Sequence, residues 1–244
     1  MGLKNDRGRV EYPHTMDPGL YIAASGMLAE QVQQNALSNN LANASTPGYE
    51  PQNVSQQSFG SLLLANTATG QPVGTLNTGV TANTYVTQSG PTPLQQTGQP
   101  LDFGISGEGY FAVRTSNGVQ YTRDGQFQSN NRNELTDANG NLVLSQSGQP
   151  VTVSAKGTVS ASALGVFNVP NASEQGNNLF TGRSTGRATG TAEGGELNES
   201  GVDPVQTMTD MISSLRAYQA GQSAIQSIDQ TMQENASQVG EIGG

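Results

Sequence analysis

Two long stretches with apolar residues at helical spacing, one near each end of the 244-residue chain, constrain the fold more than anything between them. The second is the longer. Asp203-Pro204 reads as a cap followed by proline at the first helical position, where a missing N–H costs the helix nothing. From there Val205, Met208, Ile212, Leu215, Tyr218, Gly221, Ile225, Ile228, Met232, Asn235 and Val239 recur every three or four residues. Only Gly221 and Asn235 interrupt this coiled-coil-like seam. Residues 203–240, fully helical, would run about 55 Å before Gly243-Gly244 stops them. The first stretch opens in the same way at Asp17-Pro18. It carries Leu20, Ala24, Met27, Leu28, Val32, Leu37 and Leu41, and Pro47-Gly48 ends it, giving a helix over 17–44. Amphipathic packing supplies most helix stability. The two seams are therefore expected to pack on each other or on copies of the same chain.

The rest of the chain is short of ordinary core material. Only 33% of the residues are hydrophobic and 12% charged, against roughly 45–50% (Gly counted) and about 25% in typical globular domains. Gln, Asn, Ser and Thr number 24, 21, 23 and 23, and with 31 Gly they make half the chain. With no Cys there is no disulfide framework, thiolate metal site or cysteine nucleophile. A net charge of −9 with ten dispersed cations argues against nucleic acid as a partner, because phosphate neutralisation needs a basic patch. No run approaches the ~18 apolar residues of a membrane span, so direct membrane insertion is not expected. Residues 1–15 hold three of the ten cations and the only histidine, His14, but no Gln or Ser. They read as a tag or an upstream start. The N-terminus lacks the long apolar core of a cleaved leader, so any export is expected to use a route without one.

Between the helices the period changes from that of a helix to that of a strand. Residues 45–99 are rich in Gln, Thr, Asn, Gly and Pro, and read as an extended polar linker with one or two short strands. From 100 to 180 short β segments alternate with turn signals. Tyr110 to Val113 and Val119 to Thr122 are strands. Leu135-Thr136 faces Leu142 to Leu144 across Asn139-Gly140, and Val151 to Val153 is tied to Thr158 to Ser160 by Lys156-Gly157. Residues 181–202 form a second polar linker. The fold class is α+β: two terminal helices forming a discontinuous coiled-coil-like domain, with a small, mainly antiparallel β domain between them.

Several motifs occur in one order along the chain. Ser38-Asn39-Asn40-Leu41-Ala42-Asn43 with Thr46-Pro47-Gly48-Tyr49 resembles the N-terminal signature of bacterial flagellar rod and hook proteins. Pro100-Leu101-Asp102-Phe103-Gly104-Ile105 followed by Gly107-Glu108-Gly109-Tyr110-Phe111 is similar to the central strand of that family. So are Tyr121-Thr122-Arg123-Asp124-Gly125 and Asn177-Asn178-Leu179-Phe180 to its later β segments. Glu199-Ser200-Gly201-Val202-Asp203 and Arg216-Ala217-Tyr218-Gln219 resemble its C-terminal signature, with Gly201 where the family usually has Asn.

The resemblance implies a basal-body rod subunit of the distal or proximal type, or a hook–basal-body paralogue. Such a subunit leaves the cell through the flagellar type III export apparatus and polymerises helically with copies of itself and neighbouring rod or hook proteins. The assembly interface implied comprises Leu20, Met27, Leu28, Asn39, Asn40, Leu41 and Asn43 on the first helix. On the second it comprises Val205, Met208, Ile212, Leu215, Tyr218, Ile225, Ile228 and Met232. Asn39 and Asn43, at i and i+4, could form a polar stripe between subunits, since a primary amide both donates and accepts. Equally, these asparagines could simply end the helix. Phe59, Leu62 and Leu63 resemble the segment read by the export gate.

Signals for catalysis or cofactors do not hold together. Gly107-x-Gly109-x-x-Ala112 leads into a strand, not into a helix N-terminus that would receive a phosphate. Asp137-x-Asn139-x-Asn141 opens like a calcium loop but has Leu142 at position six and Gly148 at position twelve. Apart from His14 the chain has no imidazole, the commonest general base and metal ligand. No catalytic residue, cofactor or metal is expected. A different class of function, a secreted β-rich adhesive module with oligomerising helices, fits the same organisation.

Overall fold

The computed structural model of the protein describes residues 18–58, 61–65, 72–77, 80–87 and 90–241. Residues 1–15, Asp17, Phe59 and the terminal Gly243-Gly244 lie outside them, and for Leu62 and Leu63 only the backbone is described. The fold is α+β. The long helices are α1 (Pro18–Ala42) and α2 (Pro204–Glu241). Between them come β1 (Gln52–Ser58), β2 (Ser61–Ala65), β3 (Pro72–Asn77), β4 (Val80–Thr87), β5 (Leu94–Gln96) and β6 (Phe103–Ser106). These are followed by β7 (Tyr110–Thr115), β8 (Gly118–Thr122), β9 (Gln128–Ser129), β10 (Leu135–Thr136), β11 (Leu142–Leu144) and β12 (Val166–Asn168). The series ends with β13 (Ser173–Glu174), β14 (Phe180–Thr181), β15 (Gly186–Arg187), β16 (Thr191–Gly194) and β17 (Glu196–Asn198). The chain divides into two compact units, one from residues 1–36, 54–85 and 209–244, the other from 37–53 and 86–208.

The first unit contains most of both helices. Within it the helices touch in opposite sequence order. Ser214 Oγ donates to the Glu30 backbone oxygen at 3.2 Å and to its carboxylate at 2.8 Å. One turn and more further along α2, Gly221 faces Met27, nearer the start of α1. A Cβ at Gly221 would lie 2.8 Å from Met27 Cγ, so the missing side chain lets the helices approach. In the same unit β2 pairs antiparallel with β3, Leu62 opposite Leu76, with a bulge at Leu64/Ala65. These strands, with β1 paired to β4, occupy a stretch where the sequence reads as linker with one or two strands. Short segments with scattered Val, Leu, Thr and Tyr suffice for a two-stranded ribbon without the long apolar runs of a buried strand.

The second unit is built round β7. One edge of this strand pairs with β8, and its other edge is shared by β11 and β12. Tyr110 through Val113 are all buried, because both faces are covered. Phe111 and Val113 point into a cluster with Phe103, Phe127, Leu135 and Val143, while Tyr110 and Ala112 meet Tyr121, Leu144, Val169 and Phe180. Burying one such aromatic side chain is worth about 1.5–3 kcal/mol, so this one strand anchors both halves of a small core. Residues 181–202, expected as linker, supply the end of β14 and all of β15 to β17, with β16 on β6 and β17 on β5. Val151 to Val153 departs from the hairpin expected with Thr158 to Ser160. The turn at 154–158 is closed locally, and Val151 bonds Val143 and Leu135 instead, while Thr152 bridges Glu134.

Candidate assembly surfaces

The helix that carries most of the expected interface starts as its sequence dictates. The Asp203 carboxylate accepts from the backbone N–H of Val205 at 2.9 Å and of Gln206 at 3.1 Å, an N-cap that satisfies two donors a helix leaves over. Beyond the cap, the single apolar seam read from the sequence resolves into two lines. Thr207 and Ser214 are buried, and Met211, Tyr218, Gly221, Ile225 and Ile228 are half-buried, in alternating steps of four and three. Val205, Met208, Ile212 and Leu215 lie on another face and are 76%, 51%, 55% and 42% exposed. The expected seam thus follows the outward line as far as Leu215 and the inward line from Tyr218 onward. Met232 is exposed again at 41%.

On α1, Leu20, Met27 and Leu41 are half-buried, and Leu28 is 63% exposed. The three asparagines separate by role. Asn43 Nδ2 donates to Asn39 Oδ1 at 3.1 Å and to the Asn39 backbone oxygen at 2.9 Å, so the i,i+4 pair closes on itself along the helix. Asn40 is buried. Its Oδ1 accepts from the Gln52 N–H at 2.9 Å and from the Tyr49 hydroxyl at 3.0 Å, and its Nδ2 donates to the Gln52 oxygen at 2.9 Å. In effect Asn40 pairs with the backbone of Gln52 as a strand residue would.

Asn40 belongs to a buried polar junction in the second unit that the sequence does not announce. Glu50 and Arg123 are 1% and 2% exposed at the side chain, with the guanidinium 3.6 Å from the carboxylate. The Tyr110 hydroxyl lies 2.9 and 3.0 Å from the two Glu50 oxygens. Arg123 also donates to the Gly90 oxygen at 2.7 Å and the Gly107 oxygen at 2.8 Å, and its guanidinium carbon sits 5.9 Å from the Tyr110 ring centre. Gly48, at φ +64°, packs so close that a Cβ there would stand 2.2 Å from the Arg123 oxygen. Its N–H donates to the Asn198 oxygen at 2.9 Å, and the Asn198 side chain exchanges two bonds with the Ile105 backbone. The Gly201 N–H reaches the Tyr49 oxygen, and Ser200 Oγ donates to the Asn43 oxygen. Residues 43–52 and 196–201, which leave and enter the helices, are thereby fastened to the sheet by polar groups. Burial, with Glu174 nearby, pushes the Tyr49 hydroxyl up to about 12, so it stays a donor.

The motif resemblances are met by independent matches along the chain. Residues 20–49 match the flagella basal body rod protein family, and 104–161 match the flagellar hook protein FlgE/F/G D1 domain. Residues 193–239 match the flagellar basal body rod FlgEFG protein C-terminal family. The chain is 31% identical to the flagellar hook-basal body complex protein FlhO of Bacillus subtilis, over 92% of this chain and 99% of that protein. The chain belongs to the flagellar basal-body rod and hook family. It is also 28% identical to the flagellar basal-body rod protein FlgF of Caulobacter vibrioides, over 93% and 99% of the two chains. Against the flagellar basal-body rod protein FlgG of Bacillus subtilis the identity is 28%, over 88% and 96%.

As a member of the rod and hook family, the protein is structural and not an enzyme. The calcium-like loop accords with this. Asp137 Oδ1 accepts from the N–H groups of Asn139 and Asn141, which makes it the staple of a hairpin turn. Among the described residues no His/Cys/Asp/Glu grouping could hold a metal, and no helix is long and apolar enough to cross a membrane. The three matched stretches include both helices and the strands around β7. The buried junction draws on all three stretches: Asn40 and Tyr49 come from the N-terminal match, Tyr110 and Arg123 from the D1 match, and Asn198 and Gly201 from the C-terminal match.

Proposed function

We propose that the protein is an axial subunit of the flagellar basal body, outside the cytoplasmic membrane, which polymerises helically with copies of itself and meets neighbouring rod or hook proteins. The observation that carries this reading is the line Val205, Met208, Ile212 and Leu215, large apolar side chains left open on one helix face. In a family of flagellar structural proteins such a face is best accounted for by another subunit. The long terminal helices would form the inner coiled-coil layer, and the β unit would make lateral contacts. A chain rich in Gln, Asn, Ser and Thr and poor in charge suits surfaces that meet identical surfaces, where like charges would repel. The subunit reaches its place through the type III export apparatus, with Phe59, Leu62 and Leu63 as the segment read on the way. In that place it supports motility.

Removing residues 203–244 tests the assembly reading. The truncated chain is expected to leave the rod incomplete and the cells non-motile while the sheet around β7 still forms. Normal swimming with the truncated chain as the sole copy would overturn the reading. For export, Phe59→Ala is expected to leave the chain in the cytoplasm, read by blotting culture supernatant against cell pellet.

A further inference from the structure

The outward stripe of α2 has a complementary surface on the same chain. Between α1 and α2 in the first unit lies an open groove of about 370 Å³, walled mainly by small side chains. Ala23, Gly26 and Ala29 come from α1, and Ala217, Ala220 and Ala224 from α2. A cavity of about 150 Å³ holds a benzene ring, so this groove has room for two branched aliphatic side chains. At 3.6 residues per turn, the groove residues of α2 lie roughly 80–180° round the helix from Ile212, whereas Met208 and Leu215 lie within about 60° of it. A helix cannot fold its own outer face into a groove on its other side. The stripe of one chain can enter the groove of another.

Charge points the same way. Glu30 lines the groove. Of the three charged residues in 203–222, Asp203 and Asp210 lie roughly 160–180° from Ile212, and Arg216 lies about 40° from it, beside the stripe. The groove thus offers an anion where the stripe carries a cation. Because stripe and groove are different surfaces, their union is head-to-tail. A contact of that kind propagates into an open helical array when its rotation does not close.

We propose that Ile212 and Leu215 of one copy seat in the small-residue groove between α1 and α2 of a second copy, with Met208 at its rim and Arg216 set against Glu30 of that copy. This rests on the self-assembly proposed above and names the surfaces that perform it. The chain has no cysteine, which gives cross-linking a clean background. Full-length I212C and A220C chains, mixed in equal amounts, polymerised and oxidised with diamide, are expected to give a mixed 212–220 disulfide dimer as the main product. A217C replaces A220C if the latter folds poorly. Cross-links confined to 212–212 pairs would overturn the proposal in favour of stripe against stripe. Polymers seen by electron microscopy without any 212–220 cross-link would overturn the pairing and leave self-assembly standing. Absence of polymer at every concentration would overturn both. As a second readout, E30K and R216E are each expected to lower polymer yield at least tenfold, and E30K/R216E to restore most of it. No recovery in the double variant would remove the Arg216–Glu30 contact from the proposal. S214A, which removes Glu30's partner within the chain, is expected to leave the yield unchanged.

Discussion

The junction around Glu50 and the outer stripe of α2 invert the usual partition of side chains in opposite ways. At the junction a carboxylate, a guanidinium and two asparagine amides are buried. On the stripe four large apolar side chains face outward. Each inversion is tolerable for a different reason. Buried polar groups persist when their bonds are made inside the chain, as Asn40 and Asn198 make theirs with the backbone of Gln52 and Ile105. Exposed apolar groups persist when they are covered from outside the chain. The junction makes its bonds within one molecule, with Arg123 Nε the one buried donor of the guanidinium left over, whereas the stripe has no such cover. Substitutions should therefore separate the two regions cleanly, stability answering for the junction and assembly for the stripe.

The largest effect on stability is expected at Arg123. Arg123→Met removes the guanidinium that faces Glu50, and breaking one side of a buried pair costs about 3–5 kcal/mol. Replacing both partners by apolar residues of similar volume is often neutral. Glu50→Met combined with Arg123→Met should therefore recover most of the loss in a urea titration of the full chain. A loss under about 1 kcal/mol for Arg123→Met would mean that the buried charge is not what secures the junction. Next comes Gly48→Ala. Its Cβ would stand 2.2 Å from the Arg123 oxygen at a φ of +64°, a contact that must move backbone. The expected loss is about 2 kcal/mol or more. Any gain in stability would contradict that crowding.

How well the two regions could be read in the sequence differs for physical reasons. Asp203-Pro204 marks the start of α2 because a cap and an N1 proline act locally, and β7 and β8 are legible as short apolar or β-branched segments bounded by glycine turn signals. The apolar seam of α2 runs along the outward face at its start and along the inward face only from Tyr218 onward. Of the inward positions there, Thr207 and Ser214 are small polar residues that an apolar pattern passes over, leaving Met211 alone, while the outward ones are Val205, Met208, Ile212 and Leu215. The junction was less legible still. Asn40 reads equally well as a residue that ends a helix, and Glu50 and Arg123 lie far apart in the sequence. No periodicity marks a charge that tertiary structure will bury. Pro47-Gly48 reads as the end of the first helix, and only the structure shows that its glycine takes a positive φ against Arg123. The strands β1 to β4 and β15 to β17 fall in stretches that read as polar linker, with one or two short strands allowed in 45–99, because few of them carry the alternating apolar residues of a half-buried strand.

A smaller effect, and one with a pH signature, is expected at Tyr49. Its hydroxyl donates to Asn40 Oδ1 at 3.0 Å, a bond worth about 1 kcal/mol. Tyr49→Phe removes it but leaves the Gln52 N–H on the same acceptor. The native pKa of about 12 stands above the ordinary 10.0, so the folded chain holds this proton more tightly than the unfolded chain. That contribution is full below pH 10 and is lost as the pH climbs from 10 towards 12. Urea midpoints measured from pH 8 to 11 should fall less steeply in Tyr49→Phe than in the parent. Parallel slopes would show that the phenol does not couple to folding.

The smallest effect on stability is expected on the stripe, and there the comparison is most exposed to failure. Ile212 is 55% exposed, so Ile212→Asp removes little buried area and should change the urea midpoint by no more than about 0.5 kcal/mol. The introduced carboxylate would face apolar side chains or, in the proposed pairing, the groove that already holds Glu30. Burying an unpaired charge in such a contact is costly. Polymerisation, followed by sedimentation, should therefore fail in a chain whose fold is unchanged. Arg123→Met in a background stabilised elsewhere should do the reverse, weakening the fold while leaving the stripe competent. If Ile212→Asp destabilised the monomer as much as Gly48→Ala does, the outward face of α2 would be packed within the chain, and the distinction between the two regions would collapse. If it did neither, the stripe would be an apolar surface without a partner.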